Sequence, residues 1–206
     1  MKSRIYIDRN GMLNRYWNQQ KSRYKMSNIL LVSATKLEHH DDELFGMPIH
    51  IIGVGKVNAA INMLKLIQKF QPKQVINFGS CGSLKNQKVG EIYEVGEIYD
   101  DFEGCVVPDH DPIILSDTKV KLFTTDTFYD SSAIYGNYYT EMIRKCDLVD
   151  MEGYSIAKVC ESENISLSLY KWISDDGSKT DWRANAAIGY NNFKIILNER
   201  LSKEMA

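Results

Sequence analysis

Short apolar runs recur along the chain from residue 28 onward and predict the strands of a sheet. Ile29–Val32 is a continuous apolar run, which is typical of a strand buried on both faces. Glu91–Tyr99 alternates acidic and apolar positions around Gly96, which predicts a strand pair or one bent strand. Apolar runs predict further strands at 48–55, 75–78, 120–124, 147–151 and 165–173.

Apolar residues at helical spacing separate these runs. The first such helix ends before Pro72, and its predicted apolar face consists of Val57, Ala60, Ile61, Leu64, Ile67 and Phe70. Thr35 is a predicted cap of a short helix. Further helices are predicted at 133–145, 153–163 and about 185–203, with a loop at 102–117. Regular alternation of strands and helices predicts an α/β fold, namely a three-layer sandwich around a mixed, mostly parallel, twisted sheet.

Composition narrows the class of protein. The chain has 206 residues, 44% hydrophobic and 25% charged, which fits one ordinary soluble domain. No apolar run approaches the roughly 20 residues of a membrane span, and a net charge of -2 gives no argument for nucleic acid binding. The scattered cysteines predict reduced thiols and a cytoplasmic location. His39 and His40 are adjacent, so we expect a solvated polar face and no metal site.

The first 27 residues differ from the rest. Residues 1–25 hold seven basic side chains and one acidic side chain, and they show little periodicity. They are interpreted as a basic N-terminal extension. It is either an upstream extension or the result of a start codon assigned too early, or else a basic arm for a partner or an acidic surface. Residues 28–206 are predicted to form a single domain.

Polar residues stand where several predicted strands end. Asp150 and Glu152 follow one strand at a spacing that points both side chains the same way. Asp175 ends the next strand, and glycine-rich turns follow two others, at Gly53–Lys56 and Gly79–Ser83. The carboxyl ends of strands in open α/β sheets are where ligands bind. We therefore expect one cleft there, lined by acids.

Five segments in the same order resemble the nucleoside phosphorylase/nucleosidase superfamily. The likeness is greatest to the 5′-methylthioadenosine/S-adenosylhomocysteine nucleosidase family and covers about residues 28–200. No single motif is specific, but each of the five ends a predicted strand. The segments are Ala34–Glu38, Gly53–Ala60, Asn77–Leu84, Asp150–Gly153 and Ile173–Asp175.

The resemblance implies roles for individual residues. Asp175 matches the general acid that protonates the purine, and Ser174 beside it would orient the carboxyl group. Glu38 matches the base that activates water. Glu152 matches the carboxylate that holds the ribose 2′- and 3′-hydroxyls. The other candidate substrate-binding residues are Met151 against the sugar, Phe128 stacked on the purine, Ser80 in the glycine loop, Asp150 and Tyr129.

The resemblance implies no metal or organic cofactor, a small purine nucleoside as substrate, and a homodimer. Ser33–Glu38 contains no arginine for a phosphate dianion, which favours hydrolysis over phosphorolysis. A weakly catalytic nucleoside-binding module remains a rival hypothesis. The 101–126 segment is shorter than in the typical family member, so the 5′ substituent stays open. Trp182 either covers the pocket or packs against the last helix.

Overall fold

The fold is described by a computed structural model over residues 28–102 and 112–205. The strands are β1 (Ile29–Ser33), β2 (Glu43–Leu44), β3 (Met47–Ile51), β4 (Gln74–Ser83), β5 (Ile92–Glu94), β6 (Glu97–Asp100), β7 (Ile113–Ile114), β8 (Lys121–Thr124), β9 (Leu148–Asp150) and β10 (Ser166–Asp175). The α-helices are α1 (Lys56–Phe70), α2 (Asn137–Lys145), α3 (Gly153–Ser162), α4 (Lys179–Asn185) and α5 (Tyr190–Met205). A single 3-10 turn, Lys36–Glu38, follows β1.

The described strands join in one mixed sheet in the order β2-β3-β1-β4-β9-β8-β6-β7, with β10 paired to β4 and β5. The central pairings β1–β3, β1–β4 and β4–β10 are parallel. The ten-residue strand β4 is shared, because its first part lies between β1 and β10 and its last residues pair with β9. The carboxyl ends of β1, β4 and β10 therefore lie at one edge of the sheet.

Helices cover both faces of this sheet, which confirms the three-layer prediction. On one face, Leu30 and Val32 pack with Met63 of α1 and Ile156 of α3. On the other face, Leu31 packs in a cluster with aromatic and aliphatic residues of α5. The alternation of Leu30, Leu31 and Val32 between the two clusters follows from the two-residue period of a strand.

The predicted apolar face of α1 was wrong except at Ile67. The helix buries Ala59, Met63 and Ile67, whereas Val57 and Ile61 are 69% and 49% exposed. Both sides of this helix are apolar, so spacing alone did not decide which side meets the sheet.

Three other predictions need correction. The last helix begins at Tyr190, because Gly189 packs directly on Trp172 and a separate helix, α4, precedes it. The segment predicted as a loop contains the short strand β7. His39 is buried against Phe78 and does not lie on a solvated face. Glu91–Tyr99 forms two strands, β5 and β6, and Thr35 caps the 3-10 turn, as predicted.

The basic segment 1–27 lies outside the described residues, as does Cys105. Among the described residues, none of the helices has the length and apolar character that a bilayer crossing requires.

Candidate active site

A cavity of about 200 Å³ opens where β1, β4, β9 and β10 end. Glu38, Glu152 and Asp175 all line it, although they lie far apart in the sequence. The remaining lining residues are Ala34, Thr35, Val54, Ser80, Cys81, Gly82, Phe128, Tyr129, Val149, Asp150, Met151 and Trp182. Of the candidate site residues, only Ser174 is absent from the lining, because it is fully buried behind Asp175.

Glu38 is fixed in place by hydrogen bonds to both carboxylate oxygens. Oε2 accepts from the Ser33 hydroxyl at 3.1 Å and from the backbone N–H groups of Ala34 and Thr35 at 3.1 and 3.3 Å. Oε1 accepts from the Ser80 backbone N–H and hydroxyl at 2.8 and 2.9 Å. Five donors thus hold a carboxylate that is only 3% exposed. The group is thus oriented as a base before substrate arrives.

Gly79 makes room for this carboxylate. A Cβ atom at position 79 would lie 2.6 Å from Glu38 Oε1, well inside van der Waals contact. We expect Gly79→Ala to displace Glu38 and to lower the free energy of unfolding by about 1–3 kcal/mol, as overpacking of cores does. Urea denaturation and turnover measured on the same preparation check this. A variant with unchanged turnover would contradict the role of Gly79 in placing Glu38.

Glu152 lies at the start of α3 and reaches across to the glycine turn. Its Oε1 accepts from the Gly55 backbone N–H at 2.9 Å. Burial, followed by the nearby charge of Asp150, raises the pKa of Glu152 to about 8. Gly55 has a φ of +88°, a conformation that favours glycine. Among the described residues, none donates a hydrogen bond to the other oxygen of Glu152.

Asp150 forms a buried ion pair that the sequence analysis missed. Lys171 Nζ lies 2.8 Å from Asp150 Oδ2, and the two side chains are 2% and 1% exposed. The Thr124 hydroxyl and the Gly153 N–H also donate to this carboxylate, at 2.7 and 2.9 Å. Burial lowers the pKa of Lys171, but Asp150, Glu152 and Glu38 more than offset this effect and raise it. Lys171 therefore stays charged beneath the acids of the cavity.

Asp175 ends β10 at the wall of the cavity and is 4% exposed. Burial raises its pKa, while hydrogen bonds from the Ser174 hydroxyl at 2.7 Å and the Gly177 N–H at 2.9 Å act in the opposite direction. A carboxyl group with a raised pKa retains a proton closer to neutral pH, which a general acid requires.

Aromatic side chains close the cavity from the outer side. Phe128 and Tyr129 line it from the loop after β8, and Met151 lines it beside Glu152. Trp182 of α4 donates its indole N–H to Ser80 Oγ at 3.1 Å. Of the two alternatives left open for Trp182, the structure favours the one in which this residue covers the pocket.

The start of α1 is anchored at the rim by a cluster of charges. Lys56 follows Gly55 and pairs with Asp100 at 2.6 Å, with Asp101, and with Asp126 at 3.6 Å. Because Gly55 donates to Glu152, this cluster fixes the turn that positions Glu152. Within residues 28–102 and 112–205, His, Cys, Asp and Glu side chains do not group into a cluster able to hold a metal ion.

Comparison with known proteins places this geometry in a family. A family model described as the phosphorylase superfamily matches residues 43–112. A curated 5′-methylthioadenosine/S-adenosylhomocysteine nucleosidase from Buchnera aphidicola subsp. Baizongia pistaciae is 31% identical over 183 residues, which cover 73% of this chain and 68% of that protein. The chain belongs to the 5′-methylthioadenosine/S-adenosylhomocysteine nucleosidase family. Another member, from Desulfotalea psychrophila, is 29% identical over 185 residues, covering 76% of this chain and 79% of that protein.

Solved structures agree with this nucleosidase fold. A nucleosidase of the same family from Colwellia psychrerythraea, in complex with adenine, superposes with a TM-score of 0.69 at 21% identity, covering 82% of this chain and 93% of that chain. A futalosine hydrolase from Helicobacter pylori gives a TM-score of 0.68 at 15% identity, covering 85% of this chain and 97% of that chain. At these identities the likeness is evidence of a shared fold alone.

Proposed function

We propose that the chain hydrolyses the N-glycosidic bond of a 5′-modified adenosine, such as methylthioadenosine, to adenine and a ribose derivative. The observation that carries this proposal is the convergence of Glu38, Glu152 and Asp175 on one nucleoside-sized cavity. The family membership supports the same reaction, because the curated relatives are named for 5′-methylthioadenosine and S-adenosylhomocysteine.

Each acid has a distinct task in the proposed reaction. Asp175 donates a proton to the purine, so that the base leaves neutral. Glu38 takes a proton from the attacking water, and its ordered hydrogen bonds keep that base aligned. Glu152 forms hydrogen bonds with the two ribose hydroxyls through its two oxygens, and its pKa of about 8 means that at neutral pH one of these oxygens mostly carries a proton. The surrounding negative charge stabilises the oxocarbenium-like sugar of the transition state.

Phe128, Met151 and Tyr129 supply the apolar contacts of the proposed complex. Phe128 stacks on the purine and Met151 packs against the sugar, while Tyr129 extends the aromatic wall next to Phe128. Asp150, paired with Lys171, contacts substrate less directly than the sequence suggested, because three donors already occupy its carboxylate. Ser174 acts by orienting Asp175.

Water is favoured over phosphate as the nucleophile. The described lining of the cavity contains four carboxylates but neither lysine nor arginine, and binding of a phosphate dianion calls for such cations. The test is adenine release from methylthioadenosine, S-adenosylhomocysteine, 5′-deoxyadenosine and adenosine, with and without phosphate. Release that needs phosphate would indicate a phosphorylase. Calorimetric binding without release would indicate a nucleoside-binding module.

The cytoplasmic location and the homodimer are part of the same proposal. An exposed apolar row on α1 and the preceding turn supports a second copy as partner; it consists of Val54, Val57, Ile61 and Leu64. Val54 also lines the cavity. A subunit docked on this row would therefore help to cover the mouth of the site. Exposed apolar patches rimmed by polar residues often mark such contacts.

We expect Ile61→Glu to shift the protein from dimer to monomer, because a charge would be buried in the interface. Sedimentation velocity at several concentrations measures the shift. The matched control is Ile195→Glu, at a 59% exposed position of α5 that is not part of this row. A monomeric parent protein, or a dimer that tolerates Ile61→Glu, would overturn the proposed interface.

A further inference from the structure

A second, wider groove adjoins the cavity and has a different chemical character. Its volume is about 680 Å³, and its lining residues are Phe128, Lys179, Thr180, Trp182, Arg183 and Ala184. Phe128 and Trp182 belong to both hollows, so the groove continues the cavity outward. The inner cavity is lined by acids, whereas the groove contributes two cationic side chains from α4.

The two cations are available to a ligand. Lys179 and Arg183 are exposed, and among the described residues neither forms an ion pair within 4 Å. Lys179 Nζ lies 5.8 Å from the centre of the Phe128 ring, at the boundary between groove and cavity. The Asp130 carboxylate is close enough to Lys179 for an electrostatic interaction, but Asp130 does not line the groove.

The stereochemistry of a nucleoside decides which of its groups reaches the groove. In a β-nucleoside the base and the 5′ carbon project from one face of the ribose, opposite to the 2′- and 3′-hydroxyls. In-line attack by water comes from the hydroxyl face. Glu38 and Glu152, which serve water and hydroxyls, therefore lie on the side opposite to the 5′ substituent. The groove is lined by Phe128, on the base side, and by neither of these two acids.

We infer that Lys179 and Arg183 bind an anionic 5′ substituent of the nucleoside, which extends from the cavity into the groove. This inference rests on the proposed nucleosidase activity and names the substrate class within it. A carboxylate and a phosphate share the required chemistry, since both accept charged hydrogen bonds from lysine and arginine. The pair determines specificity and takes no part in bond cleavage.

The test uses substrates that differ in charge and little in shape. The first pair, which tests a carboxylate, is 5′-(2-carboxyethylthio)-5′-deoxyadenosine and its carboxamide. The second pair, which tests a phosphate, is adenosine 5′-phosphate and adenosine. The measured quantity is the ratio of kcat/KM for the anionic substrate to that for its neutral partner. We expect Lys179→Gln/Arg183→Gln to lower this ratio about 3- to 10-fold, the range for one or two solvent-exposed ion pairs.

The control is Lys65→Gln/Lys203→Gln, which removes the same charge from exposed positions on α1 and α5. The control should leave the ratio unchanged, and added salt should reduce the preference of the parent protein, because exposed charges are screened over about 8 Å at physiological salt. If the kcat/KM ratio of the Lys179→Gln/Arg183→Gln variant falls for only one of the two substrate pairs, that pair identifies carboxylate or phosphate as the ligand.

Several results would overturn the subsite. One is a ratio that stays the same in the groove variant, and another is an equal fall in the control. A third is a charge preference that follows a carboxylate placed on the purine N6 instead of on the 5′ side. These outcomes are distinct from failure of the proposed function, in which the neutral carboxamide, adenosine and methylthioadenosine all release no adenine.

Discussion

Asp175→Asn is expected to lower kcat by about 10²- to 10⁴-fold, the usual contribution of a general acid. Asparagine preserves the shape of the side chain and can still accept the Gly177 N–H, but it cannot give a proton to the purine. Substrate binding should persist. Single-turnover kinetics and calorimetry on methylthioadenosine measure the two effects separately.

The pH profile provides a second measurement on Asp175. Burial raises the pKa of its carboxyl group, so the protonated form persists toward neutral pH. The group must be protonated to act, and kcat/KM should therefore fall as pH rises through this pKa. Asp175→Asn should remove that alkaline decline from the residual rate. Asp176→Asn at the exposed neighbouring position should keep the alkaline decline and move it to lower pH, because the charge of Asp176 contributes to the raised pKa of Asp175. Near-normal rates in Asp175→Asn would contradict the role of Asp175 as the acid.

Lys171→Met is expected to lower the free energy of unfolding by about 3–5 kcal/mol, the cost of leaving a buried charge without its partner. The partner is Asp150, whose ion pair with Lys171 is almost inaccessible to water. Lys171 also lies near Glu152 and Glu38, so its loss removes the cation beneath the acids of the cavity. Urea denaturation followed by circular dichroism measures the change.

Two further variants isolate the pair. Asp150→Asn/Lys171→Met removes both charges and should cost less than the sum of the two single substitutions, because no buried charge remains unpaired. Lys158→Met removes a lysine whose ion pair with Glu161, at 2.9 Å, is about half exposed. Its effect should stay within about 0.5 kcal/mol. Equal costs for Lys171→Met and Lys158→Met would contradict a structural role for the buried pair.

The sequence predicted the fold class and the positions of the three acids, because these features are local. A continuous apolar run such as Ile29–Val32 marks a strand buried on both faces without reference to its partners. Glu38, Glu152 and Asp175 each follow a strand, and a parallel sheet brings such ends to one edge. The roles assigned to them remain predictions, for which the variants above are the tests.

Features that depend on distant contacts were missed. Lys171 stands inside an apolar strand, and its partner Asp150 belongs to a different strand, so no local pattern indicated a buried pair. The helix α4 was missed because the structure buries none of its residues, which leaves no apolar periodicity to detect. The buried side of α1 was assigned wrongly because Met63 and Ile61 lie on opposite sides of the helix and both sides carry apolar residues.

The position of Trp182 has a spectroscopic consequence. Its indole N–H is bonded to Ser80 at the edge of the cavity, whereas Trp172 is completely buried and donates to the Ala186 carbonyl. A ligand that enters the cavity changes the surroundings of the Trp182 indole and leaves those of Trp172 unchanged. Intrinsic fluorescence thus offers a label-free signal of whether the cavity is occupied.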